Sequence, residues 1–378
     1  MKRALDDVRI LDLTHVWFGP FTTMLLADMG AEVIKVEPTW GEMTRFFPPL
    51  VNGVAPNFVY FNRNKKDITL NLKNEKGIQI FKELVKKVDV VVENFSPGTM
   101  EKLGLGYEEL KKIKPDIIYA QLSGYGQYGP YTARPSFDII AQAISGLMRL
   151  TGDDHDPEGP PIATSQAPGD LIPALFAVIS ILTAVHYKKR TGEGQKIDVA
   201  QGDCMIAVIP AFVGYSLTGM TPKELSKKFF TGVYGTFKTA DGYVVIGSPM
   251  GGILDRLTKA IGAERIESRA IVDEWTKTRT SKEVVDTLVA AGVPVNEVLD
   301  MAGAMKDPHV LARDMIVETV HPRAGKTKMP NFPVKFSETP GRILTPAPEL
   351  GQHNEEILNK LLGYTKEEVA KLKKEQAI

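Results

Sequence analysis

The segment 165–170 brings an aspartate, Asp170, to the start of a long apolar stretch at residues 171–179. Pro168 and Gly169 predict a turn before it, and aspartate is a favoured N-cap because its carboxylate accepts the N–H groups of the first helical turn. The helix dipole and those N–H groups should keep the carboxylate ionised. An ionised carboxylate can attack a carbonyl carbon, but a capping aspartate is ionised too. The segment alone therefore leaves two roles open for Asp170, helix cap and nucleophile.

The composition limits the partners with which such a carboxylate could act. The 46 basic and 46 acidic residues give no net charge, so we expect a compact ligand and no nucleic acid or anionic membrane. One cysteine, Cys204, excludes an intrachain disulfide and suits a reducing cytoplasm. The six histidines lack metal-ligand spacing, which predicts no metal site. The N-terminus has no apolar signal region, and the apolar stretch 171–187 is shorter than the roughly 20 residues of a membrane span.

Apolar runs alternate with amphipathic segments over the first 220 residues. Strands are predicted at 8–14, 32–37, 89–95, 116–122 and 195–199, and helices at 21–29, 76–88, 98–113, 137–147, 170–190 and 203–217. This alternation predicts an α/β class with a large, doubly wound, Rossmann-like domain. Its ligands should lie beyond the carboxyl ends of the strands, in the loops 15–20, 38–45, 94–98 and 123–130.

The remainder of the chain predicts a second, smaller domain. Two β-rich runs around the turn 240–242 indicate a hairpin, and helices at 252–261 and 281–291 complete a small α+β domain over 225–325. Residues 322–348 are rich in Pro, Gly and Lys and predict a connecting strap. The strap would lead to two C-terminal helices, so that 340–378 completes the large domain of residues 1–220.

A glycine-rich motif in the loop after the fourth predicted strand could suggest a dinucleotide. Gly124, Gly126 and Gly129 match G-x-G-x-x-G, but Pro130 follows where that fingerprint requires a helix. The sequence therefore predicts no nicotinamide or flavin site.

Several motifs, taken in order, resemble the class III CoA-transferases, a family that includes formyl-CoA transferase, carnitine CoA-transferase and the α-methylacyl-CoA racemases. The matching stretches span almost the whole chain; they are residues 13–20, 26–37, 62–66, 92–98, 124–127 and 192–195. The resemblance implies that Asp170 is the nucleophile of a ping-pong reaction. Its carboxylate would attack an acyl-CoA donor to give a mixed anhydride, then carry CoA as an aspartyl thioester until a carboxylic acid acceptor takes it.

The resemblance also implies positions that bind CoA as a substrate. By matching loops these are Val16, Trp17, Phe18, Leu70, Asn71, Leu72, Lys73, Asn94, Phe95, Lys102, Phe137 and Asp138. Their chemistry suits apolar walls for adenine and pantetheine, and N–H groups and lysines for phosphate. Lys73 and Lys102 could equally be ordinary surface residues, and Phe95 and Phe137 core residues. The family's mobile glycine loop would correspond to a short segment at 248–252.

Departures from the family pattern leave the substrates open. Trp17 and Phe18 replace a small pair found in formyl-CoA transferase, and Pro38 replaces a basic residue, so oxalate or formate is not indicated. A 2-methylacyl-CoA racemase is an alternative, but Phe137 stands where that enzyme has a proton-transferring histidine. A non-catalytic acyl-CoA-binding protein is a third possibility. The resemblance further implies a homodimer whose subunits are interlocked, with each active site between the large domain of one subunit and the small domain of the other.

Overall fold

The structure, a computed structural model, describes residues 3–156, 158–228 and 232–378. Its contacts divide the chain into two units, Met1–Ile209 with Asp314–Ile378, and Pro210–Arg313. The domain boundaries expected from the sequence, near 220–225 and 325, both lie C-terminal to the boundaries of these units, after Ile209 and after Arg313.

A six-stranded parallel sheet forms the centre of the larger unit. Its strands are β1 (Arg9–Asp12), β2 (Glu32–Glu37), β3 (Lys65–Thr69), β4 (Val90–Glu93), β5 (Ile118–Ser123) and β6 (Lys196–Ala200). They lie in the order β3-β2-β1-β4-β5-β6, and every neighbouring pair is parallel. This order is that of a doubly wound Rossmann-like sheet, so the predicted α/β class is confirmed. Strand β3 escaped prediction because it begins with three charged residues.

Helices cover both faces of this sheet. They are α1 (Phe18–Asp28), α2 (Pro56–Phe61), α3 (Glu75–Val85), α4 (Thr99–Lys102), α5 (Tyr107–Ile113), α6 (Asp138–Ile144), α7 (Leu147–His155), α8 (Pro168–Thr191) and α9 (Gln201–Ala207), with a 3₁₀ turn at Met43–Phe46. Successive side chains of β4 enter opposite cores: Val90 and Val92 pack with Ala177 of α8, and Val91 packs with Phe81 of α3. Burial on both faces explains the unbroken apolar runs of these strands.

Helix α8 is longer than its apolar stretch suggested. By length and composition its 24 residues could cross a membrane, although half of its most apolar window is buried. It packs against α1 and against strands β5 and β6, as the core helix of a folded domain does.

The smaller unit is an α+β arrangement. It contains α10 (Ala211–Thr218), α11 (Pro222–Lys228), β7 (Gly232–Lys238), β8 (Tyr243–Pro249), α12 (Gly252–Ala260), α13 (Arg269–Lys277), α14 (Ser281–Ala290), β9 (Val295–Glu297), α15 (Met301–Ala304) and α16 (Pro308–Ala312). Strands β7 and β8 form the predicted antiparallel hairpin, and β9 adds a third strand. Phe237, Val244 and Leu257 are buried in its own core.

Three predicted helices are divided in the structure. The helix expected over 98–113 is α4 and α5, separated by residues 103–106. The helix expected over 203–217 is α9 and α10, separated at Pro210, which lacks an N–H group for a continuous helix. The helix expected over 137–147 ends at Ile144 with Ser145 as its C-cap, because Gly146 adopts a left-handed φ of 82° before α7 begins.

The chain then returns to the larger unit through a hairpin and two helices. Strands β10 (Ile316–His321) and β11 (Gly325–Pro330) pair antiparallel, and α17 (Asn354–Leu362) and α18 (Lys366–Lys374) follow. The segment 322–348, predicted as a strap without regular structure, thus contains β11; residues 331–353 contain neither helix nor strand. Asn354 Oδ1 accepts the N–H of Thr69 at 2.9 Å, which joins α17 to the end of β3.

Candidate active site

Asp170 lies inside the first turn of α8. The N-cap is Ala167, with a left-handed φ of 51°, Pro168 is the first helical residue, and Asp170 is the third. The prediction that Asp170 is itself the N-cap was wrong, because the turn places Pro168 and Gly169 within the helix. Asp170 is only 7% exposed, which is uncommon for an aspartate.

Asp138, at the start of α6, holds the turn that carries Asp170. Its Oδ1 accepts the backbone N–H of Gly169 at 2.7 Å. A Cβ at position 169 would lie 2.4 Å from the Asp138 carbonyl oxygen, so only glycine allows this approach. Asp138, for which the resemblance implies a CoA contact, thus supports the segment that carries Asp170.

Gln201, which no sequence motif indicated, is hydrogen-bonded to Asp170. It is the first residue of α9, directly after β6, and its Nε2 donates to Asp170 Oδ1. Its Oε1 accepts from Ser136 Oγ at 3.1 Å. The available signal was a polar residue at the carboxyl end of a predicted strand, the edge at which this fold places its sites.

Burial raises the pKa of Asp170 to about 7, the negative charge of Asp138 adds to the rise, and the Gln201 hydrogen bond opposes it. The expectation that the helix terminus would keep this carboxylate fully ionised is therefore corrected. Removal from water disfavours the charged form of this carboxylate.

A cavity of about 250 Å³ adjoins Asp170 at the carboxyl ends of β1, β4, β5 and β6. It is lined by His15, Val16, Phe18, Asn94, Ser96, Leu122, Ser123, Gly124, Pro135, Ser136, Phe137, Asp170 and Gln201. Hydroxyl and amide groups supply its polar atoms beside the carboxylate. Four of the predicted CoA positions, Val16, Phe18, Asn94 and Phe137, meet Asp170 here.

A second cavity of about 450 Å³ lies at the carboxyl ends of β1, β2, β3 and β4. Its lining is Leu13, His15, Val36, Glu37, Pro38, Thr39, Trp40, Leu70, Asn71, Leu72, Lys73, Phe95, Thr99 and Leu103. The predicted segment 70–73 and Phe95 thus come together around one largely apolar space. His15 lines both cavities, which are therefore neighbours in the structure.

The loop that carries His15 is fixed by hydrogen bonds across the sheet. Asn94 Oδ1 accepts the His15 N–H at 2.8 Å, and Asn94 Nδ2 donates to the His15 carbonyl at 2.9 Å. Lys35, fully buried, donates to the Thr14 carbonyl at 2.8 Å. These bonds hold Val16 at a φ of 66°, a strained conformation for a β-branched residue that is typical of functional loops. The side-chain amide of Asn94, a residue predicted to contact CoA, therefore positions the loop that carries His15.

Two other predicted CoA positions lie beside the cavities. Trp17 is the N-cap of α1 and packs on Phe61, with ring centroids 5.1 Å apart. Lys102 is exposed on α4, between the lining residues Thr99 and Leu103. In the smaller unit, Gly251 has a φ of 85° between β8 and α12, within the predicted glycine loop 248–252.

A family model described as CoA-transferase family III matches residues 5–354 of the sequence. The chain belongs to CoA-transferase family III. The resemblance of the sequence motifs to the class III CoA-transferases is thereby confirmed.

Curated relatives and a solved structure extend this match across nearly the full length. The succinyl-CoA:mesaconate CoA-transferase of Haloarcula marismortui is 38% identical, covering 94% of this chain and 96% of that protein. The succinyl-CoA:glutarate CoA-transferase of Mus musculus is 37% identical, covering 98% and 89%. The crystal structure of a CAIB/BAIF family protein from Brucella suis has a TM-score of 0.83 at 31% identity, covering 96% of this chain and 100% of that one.

In this CoA-transferase family III chain, the carboxylate of Glu37 at the larger cavity is paired. Arg45 donates to both carboxylate oxygens of Glu37, at 2.8 and 2.7 Å, so that this wall carries a compensated charge. Among residues 3–156, 158–228 and 232–378, no group of three or more His, Cys, Asp or Glu side chains could hold a metal ion. Cys204 is a partly buried free thiol whose pKa burial raises to about 11.

Proposed function

We propose that this enzyme moves CoA from an acyl-CoA donor to a carboxylic acid through covalent intermediates on Asp170. The observation that carries the proposal is a buried carboxylate in a small cavity with polar groups beside it, next to a larger apolar cavity that shares His15 as a lining residue. A carboxylate is a weak nucleophile in water. Burial, which raises its pKa to about 7, makes it a stronger one in its ionised form.

The reaction requires no net proton transfer. One Asp170 oxygen attacks the thioester carbon, the C–S bond breaks, and CoA thiolate leaves behind a mixed anhydride. The thiolate then attacks Asp170 Cγ, the bond to the acyl oxygen breaks, and the donor acid departs, so that the enzyme carries an aspartyl-CoA thioester. The acceptor carboxylate then attacks Cγ of the aspartyl thioester and releases CoA thiolate, which leaves a second mixed anhydride. The thiolate attacks the acyl carbon of the acceptor, so that the new acyl-CoA departs and the Asp170 carboxylate is restored.

The two cavities suit the two ends of the CoA molecule. The adenosine and phosphate end would occupy the larger cavity, where Leu72 and Phe95 offer apolar contacts and Lys73 a positive charge. The pantetheine arm would pass His15 to reach Asp170. Burial lowers the pKa of His15, so a neutral imidazole would border the thioester.

The donor we propose is succinyl-CoA, with a small dicarboxylic acid as acceptor. Two relatives that cover nearly the whole chain are named for succinyl-CoA with mesaconate or glutarate. The smaller cavity offers the hydroxyls of Ser96 and Ser123, neutral groups that can donate hydrogen bonds to a second carboxylate. A racemase is less well supported, because Phe137 in that cavity has no proton to transfer.

We further propose a homodimer with interlocked subunits, located in the cytoplasm. Apolar side chains on α6 and α8 remain exposed in the single chain, among them Ile139 at 51% and Ile179 at 60%. A second copy of the chain would cover such a surface. The lone thiol of Cys204 suits a reducing compartment.

Intact-protein mass spectrometry after incubation with succinyl-CoA tests the covalent route. We expect a CoA adduct on the wild-type chain that hydroxylamine removes and that peptide mapping assigns to Asp170. Asp170→Asn should lose both adduct and turnover, whereas Asp154→Asn, a change at an exposed position on α7, should retain both. Normal turnover by Asp170→Asn would refute the proposal.

A further inference from the structure

Gln201 contacts Asp170 through its side-chain amide nitrogen, the part of a glutamine side chain that can donate a hydrogen bond to a carboxylate. An ionised carboxylate can only accept hydrogen bonds, so the Gln201 amide must present its nitrogen to Asp170 Oδ1. Gln201 is only 4% exposed and Asp170 7%, so water competes little for this contact. A hydrogen bond in such a site is electrostatically stronger than one in water.

The orientation of the Gln201 amide is set from its other side. Ser136 Oγ donates to Gln201 Oε1 at 3.1 Å, which keeps Nε2 directed at Asp170. The Gly202 N–H donates to the Gly124 carbonyl at 3.1 Å, so the start of α9 is tied to the loop after β5. A Cβ on Gly124 would lie 2.1 Å from Ser136 Cβ, and glycine therefore permits Ser136 to reach Gln201.

We propose that Gln201 is a catalytic residue that stabilises the oxyanion formed on Asp170 Oδ1. The inference rests on the proposed aspartyl route, in which Asp170 Oδ2 attacks the donor and Oδ1 becomes the carbonyl oxygen of the anhydride. When CoA thiolate attacks Cγ, the C=O electron pair moves onto Oδ1, directly beside Gln201 Nε2. The pair returns as the bond to the departing acyl oxygen breaks, and the same oxyanion forms when the acceptor acid attacks the thioester.

The hydrogen bond from Gln201 is stronger in these transition states than in the resting enzyme. The resting carboxylate spreads one negative charge over two oxygens, whereas the tetrahedral species concentrates it on Oδ1. Only such a differential interaction accelerates a step. A neutral amide also leaves the resting carboxylate free to attack. A lysine at the same place would form an ion pair with the carboxylate and weaken it as a nucleophile.

The test compares Gln201→Leu with Gln195→Leu, which lies just before the opposite end of the same strand, β6. With succinyl-CoA and glutarate, we expect Gln201→Leu to lower kcat by about 10²- to 10³-fold, the usual effect of losing one oxyanion donor. Gln195→Leu should match the wild type. Intact-protein mass spectrometry separates the succinyl-enzyme anhydride from the CoA-enzyme thioester by mass. In Gln201→Leu the anhydride should accumulate at the expense of the thioester, because attack at Cγ is the slowed step.

Ser136→Ala provides a second variant that keeps the glutamine. Freeing the amide to rotate should shift the adducts in the same direction, with a loss of roughly 5- to 20-fold in kcat. A Gln201→Leu enzyme with kcat within threefold of wild type, or with both adducts reduced equally, would overturn the inference and leave the aspartyl route standing. If Gln201→Leu does not fold, an unchanged Ser136→Ala enzyme would overturn it. Absence of any adduct on the wild-type chain would reject the aspartyl route itself, and this inference with it.

Discussion

The Asp138 carboxylate accepts the N–H of Gly169 at 2.7 Å, one residue before Asp170. This contact joins the first turns of α6 and α8. The same carboxylate contributes to the raised pKa of Asp170 through its negative charge, although burial contributes more. Asp138 thus both positions the proposed nucleophile and opposes its ionisation.

Gly169→Ala should disrupt the site while leaving the sheet intact. The new Cβ would lie 2.4 Å from the Asp138 carbonyl oxygen, so α6 or the first turn of α8 must move. Overpacking of this kind costs about 1 to 3 kcal/mol, and we expect CoA transfer to fall at least tenfold. Gly214→Ala is the control, because a Cβ there meets no atom within 4 Å. Denaturant titration and turnover measure both effects; wild-type behaviour of Gly169→Ala would contradict the described packing.

The pH dependence of turnover should report the ionisation of Asp170. Since only the carboxylate attacks, kcat/KM should rise with pH around an apparent pKa of about 7. Asp138→Asn should move the midpoint to lower pH, because it removes the negative charge that opposes ionisation. A profile that is flat from about pH 5 to about pH 8 would argue against a buried carboxylate as nucleophile.

The ionisation of Asp170 that favours turnover should lower the stability of the folded enzyme. Because burial raises the folded-state pKa of Asp170 to about 7, its protonated form favours folding below about pH 4, and that contribution is lost as the pH rises through 7. Asp170→Asn has no charge to bury, so its melting temperature should exceed that of the wild type increasingly towards about pH 8. At about 1.4 kcal/mol per pKa unit, this pH-dependent difference in the free energy of unfolding should reach at most about 4 kcal/mol. A difference that does not change with pH in thermal melts would contradict the shift.

Lys73→Ala should weaken the binding of acyl-CoA without slowing the chemical steps. Its exposed side chain lines the larger cavity, where a phosphate would be screened by solvent, so we expect KM to rise roughly 3- to 10-fold at constant kcat. The effect should shrink as salt is added. Lys86→Ala, an exposed residue at the end of α3, serves as the control. Equal KM values for the two variants would place the phosphates elsewhere.

Dilution should not separate the proposed dimer. Interlocked subunits cannot part without partial unfolding, so dissociation should follow denaturation. Sedimentation across a roughly hundredfold dilution series should show dimer throughout. A folded monomer at low concentration, identified by circular dichroism, would refute interlocking.

Local sequence was sufficient for those features that depend on neighbouring residues. The apolar run Val90–Glu93 and its counterparts predicted a buried parallel sheet, because strands covered on both faces must be apolar. The apolar stretch after Asp170 predicted α8, although two residues short of its start at Pro168, and the spacing of short motifs predicted the family. Strand β3 was missed because charged side chains are buried there by partners distant in sequence, as when Lys65 donates to Asp12 at 2.9 Å.

Only the tertiary structure decided how Asp170 is surrounded. Gln201 is 31 residues from Asp170 in sequence, and Asn94 is 79 from His15; strand order and register bring each pair together. The Asp170 pKa likewise depends on how completely packing excludes water, which a local pattern does not contain. Periodicity specifies which face of an element is buried, but the partner of a polar side chain is chosen by the elements that pack around it.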